Sequence, residues 1–262
     1  MSFASALATF VIAECALAII MAAAWTVVRA TGQTGWVDSI WTFGVGATAA
    51  VLALAPSGGG EGWRRAAVAA AVALWALRLG GHIFARTRKT PDDPRYRALI
   101  EGWGEAAPLR LFGFLQIQAA AGAALALAVA LAAHAGAEGL RLQDALGALV
   151  FAAALAGEAS ADAQLARFRA NAANRGKICD VGLWARSRHP NYFFEWLVWV
   201  AFAIAATGTV TGLLAWAAPA LMYAALRHGS GVPPLEEHMA RTRGEAFRAY
   251  AQRTPVFFPK LL

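Results

Sequence analysis

Long apolar blocks separated by short polar segments run through the whole chain. They fall near residues 4–28, 37–56, 66–84, 111–134, 144–165, 192–206 and 210–226. Within each block the apolar residues are continuous and not restricted to one helical face. Most blocks reach the roughly 20 residues that a helix needs to cross the hydrocarbon core. The pattern predicts an all-α membrane protein of seven transmembrane helices, one domain over residues 1–262. The sixth helix is short and tolerates little tilt. No internal repeat is evident, which argues against an inverted-repeat transporter. The longest polar segments are 85–110, 166–190 and 227–262. Gly58-Gly59-Gly60 is expected to be a flexible connector, and Pro91 to Pro94 a turn. Residues 234–253 are expected to form one or two short amphipathic helices broken near Gly244, with Met239, Phe247 and Tyr250 facing protein or lipid.

Composition agrees with this pattern. The chain is 59% hydrophobic and 15% charged, against about 25% charged in a soluble domain. The first block is not a secretory signal, since no Lys or Arg precedes it and its apolar run exceeds the usual ~7–15 residues. Cys15 lies in a span and Cys179 in a loop, which gives no disulfide framework and suits a reducing compartment at Cys179. The net charge of +7 is informative through its distribution. With seven spans, nineteen basic residues fall on one side and three (Arg64, Arg65, Arg141) on the other, with Arg78 inside a span. The positive-inside rule then places the N-terminus outside and the C-terminus in the cytosol. The Ala- and Arg-rich composition suits a bacterial inner membrane.

Polar residues gather at the cytosolic ends of the predicted spans. Asp38 opens the second. His82 and Arg86 close the third, Glu158, Asp162 and Gln164 lie near the end of the fifth, and Arg227 and His228 close the seventh. Ser187-Arg188-His189-Pro190-Asn191-Tyr192, followed by Glu195, opens the sixth, with Asn191 and Glu195 one turn apart on one face. The external half is nearly all Ala, Leu, Val and Gly, with Glu14 the main exception. Each polar residue has a plainer explanation. Arginines snorkel to headgroups, tryptophans form interfacial belts, Asp38 could cap its helix, and Arg78 could pair with Glu158 or Glu195. The clustering is harder to dismiss, because charged groups at this depth are costly unless partnered or functional. Arg169, Arg186, Arg188, Arg227, Arg241 and Arg243 can reach the same cytosolic mouth, which suits an anionic, phosphate-bearing ligand. No Rossmann glycine motif, Walker loop, nucleophile elbow, Cys-x-x-Cys or His-Glu-x-x-His is present, and no His spacing supports a metal site. Nothing points to nucleic acid or to an obligate protein partner.

Four segments carry a family resemblance. They are Arg78-Leu79-Gly80-Gly81-His82 with Asp93-Pro94-Arg95-Tyr96-Arg97; Glu158 to Asp162 with Gln164 and Arg169; Gly182-Leu183-Trp184 running into the Ser187–Glu195 block; and Glu236-Glu237-His238-Met239 with Tyr250 and Pro259. On these residues the chain resembles the steroid 5α-reductase family, most closely its bacterial membrane members. The Arg-His-Pro-Asn-Tyr block is shared by a wider superfamily that includes sterol reductases and isoprenylcysteine methyltransferases. The resemblance implies a seven-helix bundle, NADPH as cofactor, and reduction of the Δ4 double bond of a 3-oxo-steroid or similar lipid enone entering from the bilayer. It implies cofactor contacts at Asp162, Arg169, Asn191 and Glu195, and at Arg227 and His238. Arg188, His189, Tyr192, Glu237 and Arg241 complete the candidate cofactor set. Asp38-Ser39 and His82-Ile83 stand where animal steroid reductases have a Gln-Glu pair and a Tyr. The group that polarises the substrate carbonyl is therefore open among Asp38 in its protonated form, His82 and Tyr96.

Two other functions fit the superfamily block less well. A lipid methyltransferase using S-adenosylmethionine would bind a ligand without phosphate, which leaves the arginines unexplained. A non-enzymatic lipid-binding or transport protein would spread its polar groups through the membrane.

Overall fold

The computed structural model describes residues 1–56, 60–90, 92–136 and 138–260. Among them every α or β element is a helix. The turns expected at Gly58-Gly59 and at Pro91 lie outside the described residues. The chain divides into two compact units. The first is Met1–Leu146 with Phe202–Ala218, and the second is Gly147–Ala201 with Pro219–Leu262.

The first unit is built from α1 (Phe3–Thr31), α2 (Trp36–Leu54), α3 (Gly62–Lys89), α4 (Pro94–Trp103) and α5 (Ala107–Ala133), together with the start of α6 (Leu142–Ala170). Ser2 caps α1 by accepting from Ser5 N (3.1 Å), and Gly32, at φ 70°, ends it with a bond to Val28 O. Only glycine adopts that left-handed geometry without steric cost. Small residues bring the helices close. A methyl added at Gly46 would fall 2.2 Å from Ala76 Cβ, so α2 and α3 approach almost backbone to backbone.

Among the described residues, five stretches are long and apolar enough to cross a membrane: α1, α2, α3, Pro94–Ala133 and α6. This is two fewer than the seven apolar blocks predict. The sixth block forms α7 (Pro190–Ala206), an apolar helix of 17 residues that spans only about 26 Å. The seventh is not one helix. It is a 3-10 turn over Thr211–Trp216 that runs into α8 (Ala217–His228), 12 residues long. The local cause is the Thr207-Gly-Thr-Val-Thr-Gly212 segment, poor in helix formers, with Gly208 at φ 128°. The polar segment 85–110 is likewise no simple loop. α3 continues to Lys89, and α4 follows, started by Asp93 as cap and Pro94 in the first turn.

The second unit holds most of α6, the first twelve residues of α7, most of α8, and the tail helices α9 (Val232–Arg243) and α10 (Glu245–Arg253), which meet at Gly244. Gly157 of α6 lets the Phe194 ring of α7 lie where a Cβ would be, 2.3 Å from its nearest atom. Phe247 and Tyr250 of α10 are buried.

At the α3 start of the first unit lies a charged knot in a region expected to be almost wholly apolar. Arg64 is only 2% exposed. Its guanidinium donates to Ala135 O (3.1 Å), Gly139 O (2.7 Å) and Asp144 Oδ2 (2.9 Å). Arg141 reaches the same carboxylate through Nη2 (2.5 Å) and also donates to Ala205 O (2.7 Å) and Thr207 O (3.3 Å). The arginines thus satisfy carbonyls after α5 and at the end of α7 that have no partner within a helix.

Candidate functional site

At the other end of α3, the first unit carries a polar cluster built by four helices. Thr34, in the turn before α2, donates to Asp92 Oδ1 (2.6 Å) and accepts from Asp93 N (3.0 Å). Thr87 of α3 donates to Gly35 O (3.0 Å). These bonds join the α1–α2 turn to the α3–α4 turn. Asp93 accepts from Arg95 N (2.9 Å) and holds the Arg95 guanidinium at Nε (3.0 Å) and Nη2 (2.8 Å). Burial alone would raise the Asp93 carboxyl, but its bonds to Arg95 and the charges of Arg95 and Arg86 outweigh burial and hold it below the usual carboxylate range. The same guanidinium is ion-paired with Asp38 in the first turn of α2.

Inside this ring sits Tyr96, only 4% exposed. Its hydroxyl donates to Asp38 Oδ1 (2.8 Å), while Gln118 Nε2 of α5 donates to the phenol oxygen (3.0 Å). The Gln118 carbonyl in turn accepts from Trp41 Nε1 of α2 (2.9 Å). Of the three candidates for carbonyl polarisation, the structure brings Asp38 and Tyr96 into direct contact. His82 lies exposed on α3. Asp38 does not act as the helix cap, a place taken by Gly35. It accepts from both Arg95 and Tyr96. In this arrangement the donor is Tyr96.

The second unit holds the other cluster. Ser187 is fully buried; its hydroxyl donates to Phe257 O (2.8 Å) and accepts from His189 N (3.2 Å). Arg188 forms a fork with Glu236, Nε to Oε1 at 2.8 Å and Nη2 to Oε2 at 3.1 Å, and donates from Nη1 to Ala251 O (2.9 Å). His189 Nε2 lies 2.9 Å from the same carboxylate, and its ring stacks on Tyr192. Burial would push the Glu236 carboxyl up, but His189 and Arg188 outweigh it and draw it below its ordinary value. An ionised carboxylate only accepts, so Nε2 carries the hydrogen. Among the described residues, His189 Nδ1 and the half-buried Asn191 side-chain amide have no protein hydrogen-bond partner.

Several candidates are placed otherwise than a shared phosphate mouth requires. Arg188 spends its donors on Glu236 and the backbone, so it positions the cluster and offers little to a phosphate. Glu237 and Arg241 pair with each other on the exposed face of α9, and His238 is exposed beside them. Arg169 is exposed, while Asp162 and Arg227 are half-buried. Among the described residues, Arg169, Arg227 and Arg243 have no carboxylate partner. Arg243 Nη1 comes within 3.7 Å of where a Cβ would stand on Gly176, between Arg175 and Lys177. Glu195 is buried on α7 and accepts from Trp199 Nε1 (3.0 Å). Gln164 has a local task. Its Oε1 accepts from Leu183 N (2.9 Å), and it packs where a side chain on Gly182 (φ 59°) would stand.

Arg95 and Glu236 were named only within the resemblance segments and given no role, and Gln118 was not singled out from the sequence. Glu236 lies one turn after the buried Val232, the phase that turns it inward, whereas Glu237 is one position off that face. Gln118 was visible as one of two glutamines in a helix that is otherwise apolar after Arg110.

A family match covers most of this architecture. Residues 24–254 match the family described as "Protein of unknown function (DUF1295)". The chain belongs to this family. The matched range includes every candidate site residue and all the side chains of both polar clusters, the carbonyl of Phe257 lying just beyond it. Neither the curated proteins nor the solved structures include one that the chain matches.

Proposed function

We propose that this protein is an integral membrane reductase that uses NADPH to saturate the double bond of a lipid-borne enone, of which a Δ4-3-oxo-steroid is the class suggested by the family resemblance. The observation that carries the proposal is the buried Tyr96 phenol, held between Asp38 and Gln118. A buried phenol with one hydrogen to give suits a ketone oxygen on which negative charge develops. The proposed topology keeps seven crossings. α7 and the bent Thr211–His228 segment supply the last two, the N-terminus is external and the C-terminus cytosolic, as the charge distribution requires. The proposed membrane is the bacterial inner membrane, with the lipid entering laterally.

The residues of the second unit fit the cofactor. Asn191 and His189 Nδ1 are unspent polar atoms suited to a carboxamide or ribose. Arg169, Arg227 and Arg243 have no carboxylate to neutralise them and suit phosphates. Bound NADPH would supply the hydride for the β-carbon. The work of the chain itself falls to the first unit. Tyr96 turns its hydrogen from Asp38 to the ketone oxygen and stabilises the enolate. Asp38, 25% exposed on its side chain, meets both Tyr96 and solvent, so it can return a proton to the phenol. Arg95 keeps that carboxylate oriented. The enol gives up its O–H proton to water as the α-carbon takes one from water, and the enone leaves as the saturated ketone, richer by one hydride and one proton.

The test is turnover by the purified protein in detergent. Loss of nicotinamide absorbance that depends on an added 3-oxo-Δ4-steroid, with one saturated ketone formed per NADPH, supports the reading. Methyl transfer from S-adenosylmethionine to a lipid, with no nucleotide binding, would replace it.

A further inference from the structure

We propose that Gln118 is the positioning residue that sets the direction of the Tyr96 proton, and that α2 and α5 are tied at Trp41 to hold it there. The proposal rests on the reductase reading for its chemistry but not for its geometry. The two hydrogen-bonding neighbours of the phenol are unequal. Asp38, already ion-paired with Arg95, takes the phenol hydrogen at 2.8 Å. The phenol oxygen then presents a lone pair to α5, where Gln118 Nε2 stands at 3.0 Å, while Gln118 Oε1 is farther away at 3.4 Å. The amide therefore donates, and the phenol has no good acceptor on the α5 side.

This donor has two consequences. It leaves Asp38, at 2.8 Å against 3.4 Å for Gln118 Oε1, as the better protein outlet for the phenol hydrogen, which a ketone oxygen can replace with little competition from α5. It also places a partial positive charge against the oxygen that becomes electron-rich as the hydrogen moves to the substrate. The geometry is rigid because Trp41 lies one turn after Asp38 on α2. By donating to Gln118 O at 2.9 Å, it locks the helix carrying the acceptor to the helix carrying the donor. A half-buried glutamine in an apolar helix is costly in a membrane unless its polar atoms are used, and here both backbone and side chain are engaged.

Gln118→Met keeps the volume and removes the donor. Trp41→Phe keeps the ring and removes the tether. The first measurement is the infrared C–O stretch of the phenol in protein carrying ring-labelled tyrosine. The chain has four tyrosines, and subtracting the spectrum of Tyr96→Phe assigns the Tyr96 band. The second is steady-state reduction of the enone by variants whose gel-filtration profiles match that of the unaltered protein. The expected result is a shifted Tyr96 band in Gln118→Met, with kcat lower by about tenfold to a hundredfold and KM within about twofold. Trp41→Phe is expected to show a smaller loss of the same kind. An unshifted band in folded Gln118→Met overturns the proposal whatever the activity, as does a shifted band with unchanged kcat. A shifted band in a protein that reduces no enone supports the positioning while failing the reductase reading alone.

Discussion

The Arg64–Asp144–Arg141 knot gives the sharpest test of the fold. Asp144 accepts from Arg64 Nη2 at 2.9 Å and Nε at 3.3 Å, and from Arg141 N, Nε and Nη2 at 3.0, 3.1 and 2.5 Å. Asp144→Ala deletes all five acceptor contacts and takes from Arg64, 2% exposed, the carboxylate that it holds at 2.9 Å. Removing one partner of a buried ion pair costs about 3–5 kcal/mol, because the surviving charge stays desolvated. Arg141 is 14% exposed and recovers part of its loss by hydration, which favours the lower half of that range. At roughly 2–4 °C per kcal/mol for a chain of this size, the midpoint of thermal unfolding falls by about 6–16 °C. Tryptophan fluorescence in detergent follows it, and Trp63 reports locally because Arg64 lies 4.9 Å from its ring centre. Asp144→Asn keeps an acceptor and loses less. In the double change Arg64→Met with Asp144→Leu the buried Arg64 charge goes with its partner and only the more exposed Arg141 loses its carboxylate, so its midpoint should lie above that of Asp144→Ala. A midpoint for Asp144→Ala within about 2 °C of the unaltered protein would refute the assignment of this knot as a fold-holding element.

Four further outcomes are expected. Tyr96→Phe lowers kcat for enone reduction by about a hundredfold to ten-thousandfold and Asp38→Asn slows it, with NADPH affinity unchanged in both; loss of nucleotide binding in either variant would contradict the division of labour. Glu236 has a folded value below its ordinary 4.5, so its stabilising contribution is full above about pH 4.5 and is lost as pH falls through the folded value; acid melting curves should show this loss, and Glu236→Gln should flatten it. Arg243→Ala weakens NADPH binding about tenfold with little effect on NADH, whereas Arg241→Ala, whose guanidinium faces Glu237, changes neither; titration of both nucleotides decides between them. A cysteine placed at the exposed Arg253 should react with an impermeant maleimide only in opened cells, and labelling of intact cells would invert the proposed topology.

The apolar blocks revealed the helical class and the first five membrane-competent stretches because continuous hydrophobicity is a one-dimensional property. They did not show the 3-10 turn over Thr211–Trp216 inside the seventh block, where Thr211 and Gly212 interrupt an apolar stretch too briefly to end it as a block. The pairing of Asp38 with Tyr96 was not legible, since it depends on α4 folding back beside α2 by way of Asp93 and Pro94. Counting arginines overstated the free cations for a related reason. Charge is additive along a sequence, whereas Arg188 is cancelled by Glu236, a residue 48 positions away. Which of two adjacent glutamates faces inward was decided by helical phase, and Val232 sets that phase only once α9 is known to start there.

The first unit is discontinuous in sequence, and this bears on how the protein is made. Arg141 leaves the ribosome well before the carbonyls of Ala205 and Thr207 that it binds. Residues 147–201, which belong to the second unit, are synthesised in between. The early helices must therefore wait in the bilayer, held by their own packing and by the Arg64–Asp144 pair, until the end of α7 arrives. A nascent chain stalled before residue 202 would hold a first unit still open at its Arg141 end. Such a chain should be preferentially recognised by membrane quality-control proteases, whereas release after residue 218 should confer resistance.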